Sequence, residues 1–93
     1  MRVGIVSGYF NPIHTGHLDY IETAKRKCDF LYVIVTNDKQ VSLKGSKNFM
    51  DQNSRLRIVK ALKCVDKAMI AKDTDKTVCL SIGSIYKEFC DDP

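Results

Sequence analysis

The chain has 93 residues and a formal net charge of +4, with 44% hydrophobic and 28% charged residues. This is the size and balance of a single small globular domain, residues 1–93, with little core to spare. No apolar run reaches bilayer-spanning length, and Met1 to Val6 is too short and strand-like for a secretory leader, so a cytoplasmic protein without a membrane partner is expected.

Arg2-Val3-Gly4-Ile5-Val6-Ser7 reads as a buried strand, short and β-branched. A loop follows from Gly8 to about Thr15, and then a helix from about Gly16 to Lys27. In this helix Leu18, Ile21 and Ala24 approximate helical spacing, while Lys25 to Lys27 complement the dipole at its end. Phe30 to Thr36 is apolar on both faces, as a central parallel strand is, and Asn37-Asp38 ends it. The lysine-bearing stretch Val41 to Met50 reads as a polar loop. Asp51 or Asn53 is placed to cap a second helix from about Ser54 to Lys63. Lys67 to Ala71 is a short third strand. Asp73 or Thr74 can cap a third helix whose apolar stripe is Val78, Ile82, Ile85 and Phe89.

The order β-α-β-α-β-α implies an α/β, Rossmann-like parallel sheet with flanking helices and strand order 3-2-1, truncated after its first half. The first strand would then carry an unpaired apolar edge. Such an edge invites a second chain, strand exchange or a covering segment, and a homodimer is expected.

Cys28, Cys64, Cys79 and Cys90 form no CxxC pair, so free thiols are expected and no protein metal site is assigned. Lys25 to Lys27, Lys60 and Lys63 read as solvated helix faces. Aromatic residues are not interleaved with the basic clusters, which speaks against a nucleic-acid partner.

The chemistry concentrates at His14-Thr15-Gly16-His17, where the first strand gives way to a helix. Ligands of open parallel sheets bind at the carboxyl ends of the strands. Two imidazoles three residues apart share a helix face, free backbone N–H groups at a helix start attract anions, and Gly16 lets a phosphate approach the backbone. Neither GxxxxGK[ST] nor GxGxxG occurs. With no activated serine or cysteine nucleophile in view, direct in-line attack by an already ionised phosphate is the reaction that positioned donors could accelerate.

Gly8-Tyr9-Phe10-Asn11-Pro12-Ile13-His14-Thr15-Gly16-His17 resembles the HxGH signature of the nucleotidyltransferase superfamily, closest to the glycerol-3-phosphate cytidylyltransferases and the adenylyltransferases of heptose 1-phosphate. The resemblance continues through Leu43-Lys44-Gly45, Arg55 and Val65-Asp66. It implies transfer of a nucleotidyl group from CTP or ATP to a small phosphorylated metabolite, a polyol or sugar phosphate, with release of pyrophosphate. It implies His14, His17 and Lys44 as catalytic residues, with Lys44 on the acceptor phosphate. It implies Gly8, Tyr9, Phe10, His14, Thr15, Gly16, His17, Lys47 and Arg55 as nucleotide-binding, Tyr9 and Phe10 through backbone and ring. It also implies Mg2+ held by triphosphate oxygens.

For Arg55 the alternative to phosphate contact is an ion pair with Asp51. For Lys44 and Lys47 it is a solvated surface lysine, and for Lys76 a solvated helix start. Cytidylyltransferases usually carry aspartate where Asn11 stands, and Asn11-Pro12 is more like the adenylyltransferases of NAD and coenzyme A synthesis, so the base stays open. The family's later base-recognising and serine/threonine-rich motifs have no counterpart up to Pro93. The alternative reading is therefore a non-catalytic fragment that binds nucleotide or a partner.

Overall fold

In the computed structural model, which describes residues 2–45, 47–75 and 77–90, three parallel strands form one sheet in the order β1-β2-β3. β1 (Val3–Gly8) pairs with β2 (Phe30–Val35) from Val3 opposite Phe30 to Gly8 opposite Val35. β3 (Lys67–Ile70) pairs with the other side of β2, Tyr32 opposite Lys67 and Val35 opposite Ile70. The expected 3-2-1 order and parallel α/β architecture are therefore present.

Side-chain alternation along β2 divides the core. Leu31, Val33 and Val35 face α1 (Thr15–Arg26) and α3 (Gln52–Lys60), meeting Ile21, Val59 and Phe10. Tyr32 and Ile34 face α4 (Cys79–Cys90), meeting Ile85, with Val78 and Phe89 packed beside them. β2 is buried from Leu31 onward, as a strand covered on both faces must be. β1 is half-buried at all six positions, and among the described residues β2 is its only strand partner.

The structure corrects the sequence reading at several places. The element order is β-α-β-α-α-β-α, because Asp38–Lys44 forms a helix, α2, inside the stretch expected to be a loop. Its ends explain it. The Asn37 side chain accepts from the Gln40 N–H while the Gln40 side chain accepts from the Asn37 N–H, a reciprocal cap. At the other end Gly45 takes the left-handed conformation, φ 81°, which glycine adopts without steric cost. α3 begins at Gln52 and ends at Lys60, with the Asp51 carboxylate accepting from Ser54 N–H.

α4 begins at Cys79, and Asp73 caps it from a distance. Its carboxylate accepts from Leu80 N–H and from the N–H and hydroxyl of Ser81. Burial opposes ionisation there, but the Ser81 and Leu80 hydrogen bonds outweigh it and hold the carboxyl below its ordinary range. Ile82 is 41% exposed, so the buried stripe runs Val78, Ser81, Ile85, Phe89. The hydroxyl of Ser81, satisfied by Asp73, replaces an apolar group at the second position.

Candidate active site

At the carboxyl end of β1 the chain turns through Phe10, whose φ is 50°. A bulky residue in this region is strained, and tight packing keeps it there. The ring is 1% exposed and belongs to the core beneath the loop. A Cβ on Gly8 would lie 2.7 Å from its Cζ, so glycine at position 8 admits the ring. Phe10 therefore does not line a ligand with its ring, correcting the expectation for that side chain. It instead meets the His17 ring edge-on at 5.0 Å and braces it.

The two histidines cap α1 for each other. His14, in extended conformation at the N-cap, accepts from Gly16 N–H through Nδ1 at 3.0 Å. His17 Nδ1 accepts from His14 N–H at 3.1 Å. These roles are usually taken by a serine or threonine and a glutamate. The hydrogen bonds assign both Nδ1 atoms as acceptors, so each neutral ring carries its proton on Nε2. The centroids are 4.0 Å apart. Burial, followed by repulsion from His14, pushes His17 below the usual histidine range and favours the neutral form, in which Nδ1 stays an acceptor.

This geometry changes the role expected of Gly16. Its N–H is occupied by His14, and a Cβ there would meet His14 Cε1 at 2.8 Å. Glycine makes room for the imidazole, and the Gly16 amide is already engaged by His14 rather than open to an anion. Thr15 is exposed beside them.

Lys44, at the end of α2, places Nζ 4.2 Å from the centroid of the Tyr9 ring. α2 thus brings Lys44 to the same loop as the histidines. Lys47 reaches that loop by its backbone: its carbonyl accepts from Asn11 Nδ2 at 2.7 Å, whereas its ammonium lies 5.5 Å from the Phe49 ring centroid. Lys76 lies outside the described residues.

Arg55 is the largest correction. Its side chain is fully buried, and its donors go to Met50 O, Tyr9 O, Thr36 O and Asp38 Oδ1 at 2.6–3.0 Å. It pairs with Asp38, not Asp51, and it has no surface through which to touch a phosphate directly.

Two ties escaped sequence reasoning. The Asn11 amide accepts from Phe49 N–H and Met50 N–H while donating to Lys47 O, stitching the histidine loop to residues 47–50. Asn37 and Gln40 donate to the carbonyls of Ala71, Asp73, Asp75 and Thr77, stitching the start of α2 to the β3–α4 loop. The Asn37-x-x-Gln40 spacing with Gly45 beyond was the available signal for α2.

The cytidylyltransferase-like family model matches residues 5–90, which include this whole arrangement. The chain belongs to the cytidylyltransferase-like family. Its relatives include the FAD synthase of Ferroglobus placidus, 40% identical over 75 residues, covering 81% of this chain and 49% of that protein. The FAD synthase of Thermoplasma acidophilum is 38% identical over 76 residues, covering 80% and 54%. Among solved structures, a lipopolysaccharide core biosynthesis protein from Thermoplasma volcanium matches with a TM-score of 0.72 and 35% identity, over 76% of this chain and 57% of that one. This cytidylyltransferase-like chain spans about half the length of the curated relatives it matches. The family is one of nucleotidyltransferases, and the matched residues include the histidine loop at the end of β1. Among the described residues, no helix is long and apolar enough to cross a membrane, and no three His, Cys, Asp or Glu side chains gather as a metal-binding group.

Proposed function

We propose that this chain contributes the triphosphate-gripping half of an adenylyltransferase site, which moves AMP from ATP to the phosphate of a small metabolite. The observation that carries the reading is the reciprocal histidine cap. It engages both Nδ1 atoms and leaves two Nε2–H donors, 4.0 Å apart by ring centroid, at one corner. An oxygen of the acceptor phosphate attacks the α-phosphorus of ATP, the bond to the bridging oxygen breaks, and pyrophosphate leaves with that electron pair. His14 and His17 donate to the oxygens on which charge grows, and Lys44 holds the acceptor phosphate beside Tyr9. Lys47 adds positive charge at the rim, Thr15 and the backbone of Gly8 and Tyr9 border the nucleotide, and Arg55 orders the loop from below.

ATP rather than CTP is supported by the FAD synthase relatives, since FAD is an adenylyl group joined to the phosphate of FMN. FMN is accordingly the first acceptor to test. A sugar phosphate is the second, favoured by the lipopolysaccharide core biosynthesis neighbour. The donor-rich corner suits Mg2+ that arrives on triphosphate oxygens, and the Asp38 carboxylate is already engaged by Arg55 and Asn48. Mg2+ would neutralise charge on the pyrophosphate leaving group. We place the reaction in the cytoplasm, in a homodimer.

The full-length protein, incubated with Mg2+, ATP or CTP, and FMN, heptose 1-phosphate or glycerol 3-phosphate, is expected to release pyrophosphate fastest with ATP and FMN. Nucleotide binding by calorimetry without any turnover would support the alternative, a non-catalytic binding module. Unchanged turnover after His14→Ala and His17→Ala would overturn the mechanism. Sedimentation as a monomer would overturn the dimer.

A further inference from the structure

Arg55 touches both supports of the Lys44–Tyr9 pair. Nη1 donates to the carbonyl of Tyr9 at 2.9 Å, fixing the residue whose ring lies under the ammonium. Nη2 donates at 3.0 Å to Asp38, the first residue of α2, which carries Lys44 as its last. The remaining bonds, to Thr36 and Met50, root the guanidinium in the end of β2 and in the turn before α3. The side chain is fully buried, while Asp38 is 40% exposed. A planar guanidinium with five donors can hold these segments at fixed mutual angles, which a single ammonium cannot.

We infer that Arg55 and Asp38 are positioning residues that set where the Lys44 ammonium stands over Tyr9, and so how the acceptor phosphate is presented to the histidine corner. This rests on the adenylyltransferase reading for its functional half only. Removing Asp38 cuts the tie between Arg55 and α2, leaving that helix held by Asn37 and Gln40 alone on the β3–α4 side and Lys44 less tightly registered over Tyr9, whereas the histidine corner, whose hydrogen bonds lie within residues 14–17, keeps its geometry. The predicted signature is therefore selective: the acceptor is affected and the triphosphate is not.

The test uses Asp38→Ala, with Asp38→Asn as the conservative variant, because the amide oxygen still accepts from Nη2. Arg55→Lys serves as a second, riskier variant, since it buries an ammonium with fewer donors. In NMR spectra of the full-length protein, the Lys44 ε-methylene protons are expected upfield, shifted by the Tyr9 ring. Asp38→Ala should weaken that shift and Asp38→Asn should retain most of it, with the histidine ring signals unmoved. In kinetics with ATP and FMN, Asp38→Ala should raise the acceptor KM about five- to tenfold and leave the KM for ATP within about twofold. In a Lys44→Ala background its effect should vanish, as coupled residues require.

An unchanged Lys44 shift in Asp38→Ala would overturn the inference. So would a common fall in kcat with equal rises in both KM values, the mark of general loosening. Absence of turnover in the wild-type protein would instead overturn the functional reading, while the NMR result still decides the positioning.

Discussion

The histidine corner and the Lys44 corner flank one loop but are built in opposite ways. At His14–His17 the defining bonds span two or three residues, and the candidate functional groups are themselves the helix cap. At Lys44 the defining bonds span from 17 residues, between Asp38 and Arg55, to 46, between Tyr9 and Arg55. The hydrogen bonds of the first corner close within the start of α1, with the Phe10 ring as its one distant brace. The second exists only when β1, β2, α2 and α3 are already assembled. Local construction gives precise geometry at small entropic cost, whereas the distant construction makes the placement of Lys44 depend on core packing.

Four perturbations separate or join the two corners. Phe10→Ala should have the largest effect, because it empties the space beneath Gly8 and removes the brace on His17. A loss of about 3–5 kcal/mol in urea unfolding is expected, with both corners loosened together. His14→Ala or His17→Ala removes one donor aimed at the transition state. Pyrophosphate release should fall by about 100- to 1000-fold, while stability drops only by about 1 kcal/mol, the scale of a lost helix cap. The double variant should be little worse than either single one if the pair acts as a unit.

Asn11→Asp tests the seam between the corners. A carboxylate keeps the bonds from Phe49 and Met50 N–H but cannot donate to Lys47 O, which it would face at 2.7 Å. A cost of about 1–2 kcal/mol in thermal unfolding is expected, with larger motion in residues 47–50 than in α1. The mildest perturbation is pH. The folded state holds His17 below the ordinary histidine value, so the unfolded chain binds the proton more readily. Stability should therefore be fully present above about pH 6.5 and decline as pH falls through the lowered folded value. Protonation would also convert Nδ1 from acceptor to donor and break the cap on His14 N–H. Urea titrations from pH 7.5 to pH 5 should show this slope, and His17→Gln should flatten it.

Much of the fold was legible because it is written in local pattern. The apolar run Phe30–Val35 marked the central strand, and of the paired candidates Asp51 or Asn53 and Asp73 or Thr74 the structure selects Asp51 for α3 and Asp73 for α4, the latter acting from six residues before Cys79. The loop reading of Val41 to Met50 gave too much weight to its lysines and too little to the Asn37 and Gln40 caps and to Gly45. Ile82 looked like core because helical spacing cannot tell an apolar residue facing the sheet from one at the rim.

The candidate site divides in the same way. His14, Gly16 and His17 were found by spacing, and the structure shows them interacting as neighbours on one turn. Phe10 and Arg55 were placed at the ligand, although one lies in the core and the other beneath the loop. A side chain's type fixes which bonds it is able to make, but not which side of the backbone it will occupy.

The sequence by itself determined the parallel sheet and its strand order, the nucleotidyltransferase signature, and the position of both histidines at the start of α1, because strand periodicity and motif spacing depend on residues a few positions apart. Only the tertiary structure decided that Arg55 holds Tyr9 and Asp38 and that Lys44 stands over Tyr9. It also decided that Asn11 sews one loop to another. Those contacts join residues 17–46 positions apart, with partners that are mostly backbone carbonyls and amides. Every residue carries such groups, so composition and spacing cannot single out the ones that folding brings within reach.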